Sequence, residues 1–63
     1  MLLSDYQVEI LSRYNINYDK FNNLKSLIYE IEKYINNAFE NIDDLDNLSK
    51  ELSEMDYYKN TNK

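Results

Sequence analysis

The chain contains no glycine, proline, cysteine or histidine in 63 residues, and these four absences constrain its fold and chemistry more than any residue present. Without proline, nothing in the sequence forbids helix at any position. Without glycine, the close-approach loops that cradle phosphates in nucleotide-binding proteins have no suitable backbone. Without cysteine or histidine, the chain has no thiolate, no ordinary general base near neutral pH and no soft metal ligand.

Catalysis is the function class that this composition opposes most strongly. The serines have no histidine to activate them, and a chain this short cannot bury a core and also enclose a pocket of ~300 Å³. Paired carboxylates such as Glu51 and Glu54 are expected to form a solvated face rather than a glycosidase pair. We therefore predict a protein that is not an enzyme and has no catalytic residue, no cofactor and no metal site.

No signal for secretion or membrane insertion is visible in the sequence. The N-terminus has neither the basic segment nor the apolar stretch of a signal peptide. No apolar run approaches the ~20 residues that a membrane-spanning helix requires. The expectation is a cytoplasmic protein with no membrane partner.

Apolar spacing and capping residues predict an all-α fold with three helices, at about residues 5–14, 24–40 and 45–58. Together these helices form a single domain over residues 1–58, followed by a short disordered tail at residues 59–63. Small domains commonly rely on disulfides or zinc, and neither is possible here. Stability must therefore come from tight helix packing, from oligomerisation or from a partner.

The first helix has a start signal and a stop signal that are independent of each other. Ser4 and Gln7 are spaced as a capping box, in which each side chain bonds the other residue's backbone amide. Asn15 is predicted to end the helix in the left-handed conformation, which asparagine tolerates better than most non-glycine residues. Ile16 would then fold back onto the helix.

The second helix carries the longest apolar stripe and is expected to be the central, most buried element. Asn23 is its predicted N-cap, and Phe21 is expected to pin the preceding connector to the core. The apolar stripe repeats with the helical period through Leu24, Leu27, Ile28, Ile31, Ile35, Ala38 and Phe39.

The third helix has a narrower apolar stripe, of the width that pairs helices in coiled coils. This stripe consists of Leu45, Leu48, Leu52 and Met55. Asp43 or Asp44 is the predicted cap of the helix. The stripe is too short for a free-standing coiled coil, so docking on the other two helices and pairing with a second copy both stay open.

Charge is unevenly distributed along a chain whose net charge is −5. Residues 40–56 hold seven acidic residues against a single base, Lys50, for a net charge of −6. Such a block repels nucleic acid and anionic membranes, and it attracts a basic protein surface. A calcium loop is not the explanation, because no register supplies both the oxygen ligands and the glycine of an EF-hand.

Seven tyrosines accompany the acidic block. Tyrosine offers a large amphipathic contact area at low entropic cost and is therefore common at interfaces, although an AT-rich genome would also supply many tyrosines. The acidic third helix and the exposed tyrosines together form the predicted protein-binding set. Its members are Asp43, Asp44, Asp46, Glu51, Glu54, Asp56, Tyr57, Tyr58 and Tyr29.

Residues 2–11 (LLSDYQVEIL), 14–16 (YNI) and 23–35 resemble small uncharacterised acidic helical proteins of phages and mobile elements in low-GC Gram-positive bacteria. In those proteins a Gly-Ile pair often ends the first helix, where this chain has Asn15 and Ile16. The resemblance implies a genetic context, in which such proteins often inhibit host defence or DNA-handling enzymes. It transfers no functional residue to this chain.

The sequence as a whole predicts a small acidic module that binds a basic surface of a larger host protein, in the manner of a DNA mimic. One alternative is a structural or assembly protein that homo-oligomerises through the apolar stripe of the third helix. A further, less favoured alternative is a small DNA-binding regulator, since three short helices are the frame of a helix-turn-helix domain. The acidic charge opposes direct nucleic-acid binding.

Overall fold

A computed structural model describes residues 3–61 of the chain, and all the regular structure within that range is helical. The elements are α1 (Asp5–Arg13), α2 (Leu24–Asn36) and α3 (Asp43–Thr61), with a single 3-10 turn at Tyr18–Lys20 between the first two helices. The predicted all-α, three-helix fold is thereby confirmed. Across residues 3–61, no helix combines the length and the apolar character that crossing a bilayer would require.

Helix α1 begins with the predicted capping box. The Gln7 amide donates to Ser4 Oγ at 3.2 Å, and the Ser4 amide donates to Gln7 Oε1 at 3.0 Å. Two amides that would otherwise lack partners at the helix start are thus bonded by side chains. Leu3, just before the cap, is half-buried and packs against the core, which fixes the direction in which the chain enters the helix.

Helix α1 also ends as the sequence predicts. Asn15 has a φ of 57°, in the left-handed region. The Ile16 amide donates to the Leu11 carbonyl at 3.0 Å, and the Asn15 amide donates to the Ser12 carbonyl at 3.2 Å. This pair of bonds is the Schellman arrangement, and the side chain of Ile16 is buried in the core as a result.

The connector to α2 is short and anchored at its end. Asn17 accepts from the Asp19 amide at 3.2 Å and so starts the 3-10 turn. Phe21 is half-buried against the core, as expected. Asn23 then caps α2 by accepting from the Ser26 amide at 2.9 Å, which confirms its predicted role.

Helix α2 ends at Asn36, four residues before the predicted boundary. The Asn37 amide bonds the carbonyls of both Lys33 and Tyr34 at 3.2 Å, so the last turn tightens toward 3-10 geometry and stops. Two consecutive asparagines favour this stop, because asparagine is a poor helix-interior residue. The prediction that Phe39 continues the buried stripe is therefore wrong: its side chain is 108% exposed.

Helix α3 extends beyond its predicted bounds at both ends. It begins at Asp43 and reaches Thr61, so residues 59–61 of the predicted tail are helical; Asn62 and Lys63 lie outside the described residues. Asp43 and Asp44 lie within the first turn instead of capping it. The Asp46 amide donates to the carbonyl of residue 42 at 2.9 Å, so the hydrogen-bond ladder begins one residue before Asp43.

Helix α3, and not α2, is the central element, because it packs against both of the other helices. Leu45, Leu48 and Leu52 are completely buried at its contact with them, while Met55 is 37% exposed. The stripe that the sequence left open to self-pairing is thus occupied within the monomer. The core comprises Ile10, Leu11, Ile16, Leu24, Leu27, Ile31, Leu45, Leu48 and Leu52.

Candidate functional site

Four of the nine predicted binding residues share the outer face of α3. Successive residues are 100° apart around a helix axis, and on this basis the four residues lie on the side of α3 that points away from the buried leucines. Its members Asp43, Glu51, Glu54 and Tyr58 are all exposed. We call these four residues the outer face of α3. It is the largest part of the predicted set that the structure brings together.

Asp44 does not belong to this face and is engaged inside the fold. Its carboxylate accepts a hydrogen bond of 2.6 Å from the Tyr14 hydroxyl, one of 3.2 Å from Arg13 Nη1 and one of 2.8 Å from the Leu45 amide. The carboxylate therefore ties the start of α3 to the end of α1. Asp44 is one of the residues predicted to contact a partner, and in the free chain its charge also has this internal role.

These contacts shift the pKa of both partners. The hydrogen bond from Tyr14 lowers the pKa of the Asp44 carboxyl below its ordinary value, against the opposing effect of partial burial, and the Leu45 amide and Arg13 add to the lowering. The same hydrogen bond, with burial and the nearby negative charge, raises the pKa of the Tyr14 hydroxyl above 10.0. The two pKa shifts widen the pH range over which a neutral Tyr14 hydroxyl donates to an ionised Asp44 carboxylate.

Asp46 borders the outer face of α3, but its charge is paired along the helix, whereas Asp56 is separated from that face. Asp46 forms an ion pair of 3.3 Å with Lys50 one turn along the helix. Both side chains are largely exposed, so the pair contributes only a few tenths of a kcal/mol, and a basic partner could replace Lys50 at little cost (about 0.3–0.5 kcal/mol for such pairs). Asp56 lies on the inward side of α3 and is half-buried.

The three predicted tyrosines divide between two helices. Tyr57 and Tyr58 are mostly exposed near the end of α3, and their rings meet edge to face with centroids 5.7 Å apart. Tyr29 is exposed on α2, on the side away from the buried residues of that helix. The edge-to-face pair gives α3 an aromatic end beside its acidic face, and Tyr29 lies on a different helix.

A cleft at the α2–α3 loop is the feature that the sequence did not reveal. It is open to solvent, has a volume of about 880 Å³ and is lined by the residues that end α2, the loop and the first turn of α3. The rings of Tyr14 and Tyr34 meet edge to face in its wall, with centroids 5.5 Å apart. Phe39 lies on its rim. The early end of α2 creates this cleft, and the two asparagines at 36 and 37 were the signal that could have predicted it.

These surfaces present exposed carboxylates and aromatic rings. No group of three or more acidic side chains in residues 3–61 is close enough to hold a metal ion. No family model, curated protein or solved structure matches the chain. The function is therefore inferred from the exposed charges and rings themselves, namely the outer face of α3 and the loop cleft.

Proposed function

We propose that this protein is a small acidic, non-enzymatic binding module that attaches to a basic surface of a larger protein through the outer face of α3. The observation that carries the proposal is the exposure of Asp43, Glu51 and Glu54 together with Tyr58 on one side of a single helix. The charges supply long-range attraction, and the tyrosine supplies contact area that can be desolvated. Proteins that handle nucleic acid carry basic grooves and are the partner class that fits.

The charge density of the outer face of α3 limits how closely it can imitate duplex DNA. Asp43 and Glu54 are separated by about 16 Å along the helix at 1.5 Å per residue. Duplex DNA carries one charge per ~1.7 Å of axis, so a segment of that length holds roughly nine charges. The outer face of α3 presents three, and the Asp46–Lys50 ion pair on the same side of the helix adds no net charge. Charge alone would therefore give much weaker binding than DNA, and the aromatic contacts of Tyr57 and Tyr58 must contribute a large share of the affinity.

An inhibitor encoded by a phage or mobile element is the biological role most consistent with such a module. It would compete with nucleic acid for one basic groove of a host protein and needs no catalysis to do so. The assembly alternative has less support, since self-pairing through Leu45, Leu48 and Leu52 would require the monomer core to open.

A capture experiment with matched variants tests the proposal. The tagged chain is incubated with a lysate of a low-GC bacterium and washed at low and at high salt. We expect a basic nucleic-acid-handling protein that is retained at low salt and released at high salt. The double variant Glu51→Lys, Glu54→Lys should lose that protein. The control Asp19→Lys, an exposed charge reversal in the 3-10 turn between α1 and α2, should retain it.

Equal capture by the two charge-reversal variants would contradict the proposal. Nuclease treatment of the lysate provides a further control, because a protein captured only through bridging nucleic acid would disappear. Competition by duplex DNA for the captured protein would place the contact at its nucleic-acid groove.

A further inference from the structure

Phe39 is the most exposed large apolar residue among residues 3–59. Its side chain is 108% exposed, as open to water as in an extended peptide, although the chain has just two phenylalanines and the other packs on the core. The loop that holds it is short, between the end of α2 at Asn36 and the start of α3 at Asp43. An aromatic ring with this exposure is available to a partner.

The cleft beside Phe39 has a preorganised aromatic wall. The Tyr14 ring is held by its 2.6 Å hydrogen bond to Asp44, and the Tyr34 ring contacts it edge to face. Ala38 and Ile42 are half-buried lining residues of the loop. A volume of about 880 Å³ lies in the range of ligand sites, and little ordering is needed before an apolar side chain can enter.

The rim of this cleft is acidic. Glu30, Glu40 and Asp43 line it, against one base, Lys33. The negative charge of the rim favours apolar segments with basic flanking residues over segments with acidic ones. A second copy of the chain would bring the same acidic rim and a net charge of −5, so that pairing cleft to cleft sets like charges together. A segment with lysine or arginine beside its apolar residue would instead complement both the wall and the rim.

We propose that the α2–α3 loop cleft binds a protein segment in which a large aliphatic or aromatic side chain is flanked by basic residues. The apolar side chain lies against Tyr14 and Tyr34, Phe39 covers it, and the flanking cations face Glu40 and Asp43. This binding uses Asp43, which the cleft shares with the outer face of α3, and does not require Glu51, Glu54 or Tyr58. It gives the chain a second point of attachment, selective for a short segment instead of a broad basic surface.

The test is a titration of the ¹⁵N-labelled full chain with three short synthetic peptides, followed by NMR. One peptide has two leucines flanked by lysines, one has serines in place of the leucines, and one has glutamates in place of the lysines. We expect the leucine-lysine peptide to shift the amide signals of Ala38, Phe39 and Ile42. The other two peptides should bind at least about tenfold more weakly at these amides, since each lacks one half of the complementarity.

A pair of matched variants separates a cleft contact from a general charge effect. Phe39→Ser removes an exposed ring and should weaken the leucine-lysine peptide by about tenfold without changing the helix content. Tyr29→Ser removes another exposed ring, on the side of α2 away from its buried residues, and should leave the affinity unchanged.

Several outcomes would overturn the cleft proposal. Equal shifts with the serine and leucine peptides would reduce the contact to charge attraction. Equal affinity of the Phe39 variant and the wild type for the leucine-lysine peptide would show that the Phe39 ring does not contact the peptide. Shifts at Phe39 that grow with protein concentration alone would make a second copy the occupant. Shifts of Glu51 and Glu54 without shifts at the loop would reject the cleft while leaving the outer face of α3 in place.

Discussion

The Tyr14 hydroxyl donates a 2.6 Å hydrogen bond to the Asp44 carboxylate across 30 positions of sequence. Tyr14 is the C-cap residue of α1, and Asp44 lies in the first turn of α3. The bond therefore joins the two ends that the connector, α2 and its loop separate along the chain. It also orients the Tyr14 ring in the wall of the loop cleft, so that one contact supports both the fold and the candidate binding surface.

Removing the hydroxyl tests this relationship directly. In Tyr14→Phe the ring stays and the donor is lost, so the pKa of Asp44 should rise toward its ordinary value and the melting temperature should fall. The Asp44 pKa is measured by following its side-chain carboxyl carbon by NMR during an acid titration. Tyr29→Phe, which removes an exposed hydroxyl elsewhere, is the control. An unchanged Asp44 pKa in Tyr14→Phe would show that the bond does not persist in solution.

Acid should weaken the fold through the same carboxylate. The folded-state pKa of Asp44 is depressed below the ordinary value of 3.8, so its contribution to the free energy of unfolding is present above that value. The contribution is lost as the pH falls below 3.8 and through the folded-state pKa. Urea unfolding at a series of pH values measures it, and Asp44→Asn should show a shallower loss in this window than the wild type. Identical slopes for the two proteins would assign acid sensitivity to other carboxylates.

Alkali should weaken the fold through Tyr14. Its folded-state pKa is raised above 10.0, so its contribution is complete below the unfolded value and is lost as the pH rises through the folded-state pKa. Tyr14→Phe should be less sensitive than the wild type in that range, and Tyr29→Phe should behave as the wild type. Circular dichroism of thermal unfolding between neutral pH and strong alkali is the measurement. Equal alkaline sensitivity of all three proteins would contradict the expectation.

Local signals in the sequence predicted the local structure well. The capping box of Ser4, the left-handed Asn15 and the cap at Asn23 each depend on residues within a few positions of one another, and each is present. These features can be read from sequence because backbone hydrogen bonding at a helix end is a short-range requirement.

Features that depend on distant residues were not predictable in the same way. The narrow stripe of α3 could not decide between docking on the other two helices and pairing with a second copy, because packing partners depend on shape and area over the whole chain. The Tyr14–Asp44 bond has no sequence signature. Phe39 has the correct helical spacing for burial, and the end of α2 three residues earlier removes it from that face.

The burial of Leu48 predicts a large effect of truncation. Leu48→Ala should lower the free energy of unfolding by roughly 2–5 kcal/mol. A domain of this size has only about 3–9 kcal/mol in total at 0.05–0.15 kcal/mol per residue, so the variant should lose a large fraction of its stability. Leu48→Met, which keeps the volume, should cost less than about 1.5 kcal/mol and remain folded. Chemical unfolding followed by circular dichroism provides both values.

Thermal unfolding of the wild type at several protein concentrations tests for self-association. With its leucines in the monomer core, the wild type should have a helix signal and a melting temperature that do not change with protein concentration. A melting temperature that rises with concentration would instead support a dimer.

The left-handed backbone at Asn15 gives the last prediction. Asn15 is the one non-glycine residue with positive φ among residues 3–61, and a Cβ-bearing residue without a local hydrogen-bonding side chain tolerates that conformation poorly. Asn15→Ala should therefore lower the free energy of unfolding by about 1 kcal/mol, which corresponds to roughly 4–8 °C in melting temperature for a small domain. Asn15→Gly should equal or exceed the wild type in stability, because glycine carries no Cβ. Asn22→Ala, at an exposed residue with negative φ, is the matched control and should change the melting temperature little. If the alanine and glycine variants at position 15 melted together, the Schellman ending of α1 would not hold in solution, and the burial of Ile16 would need another cause.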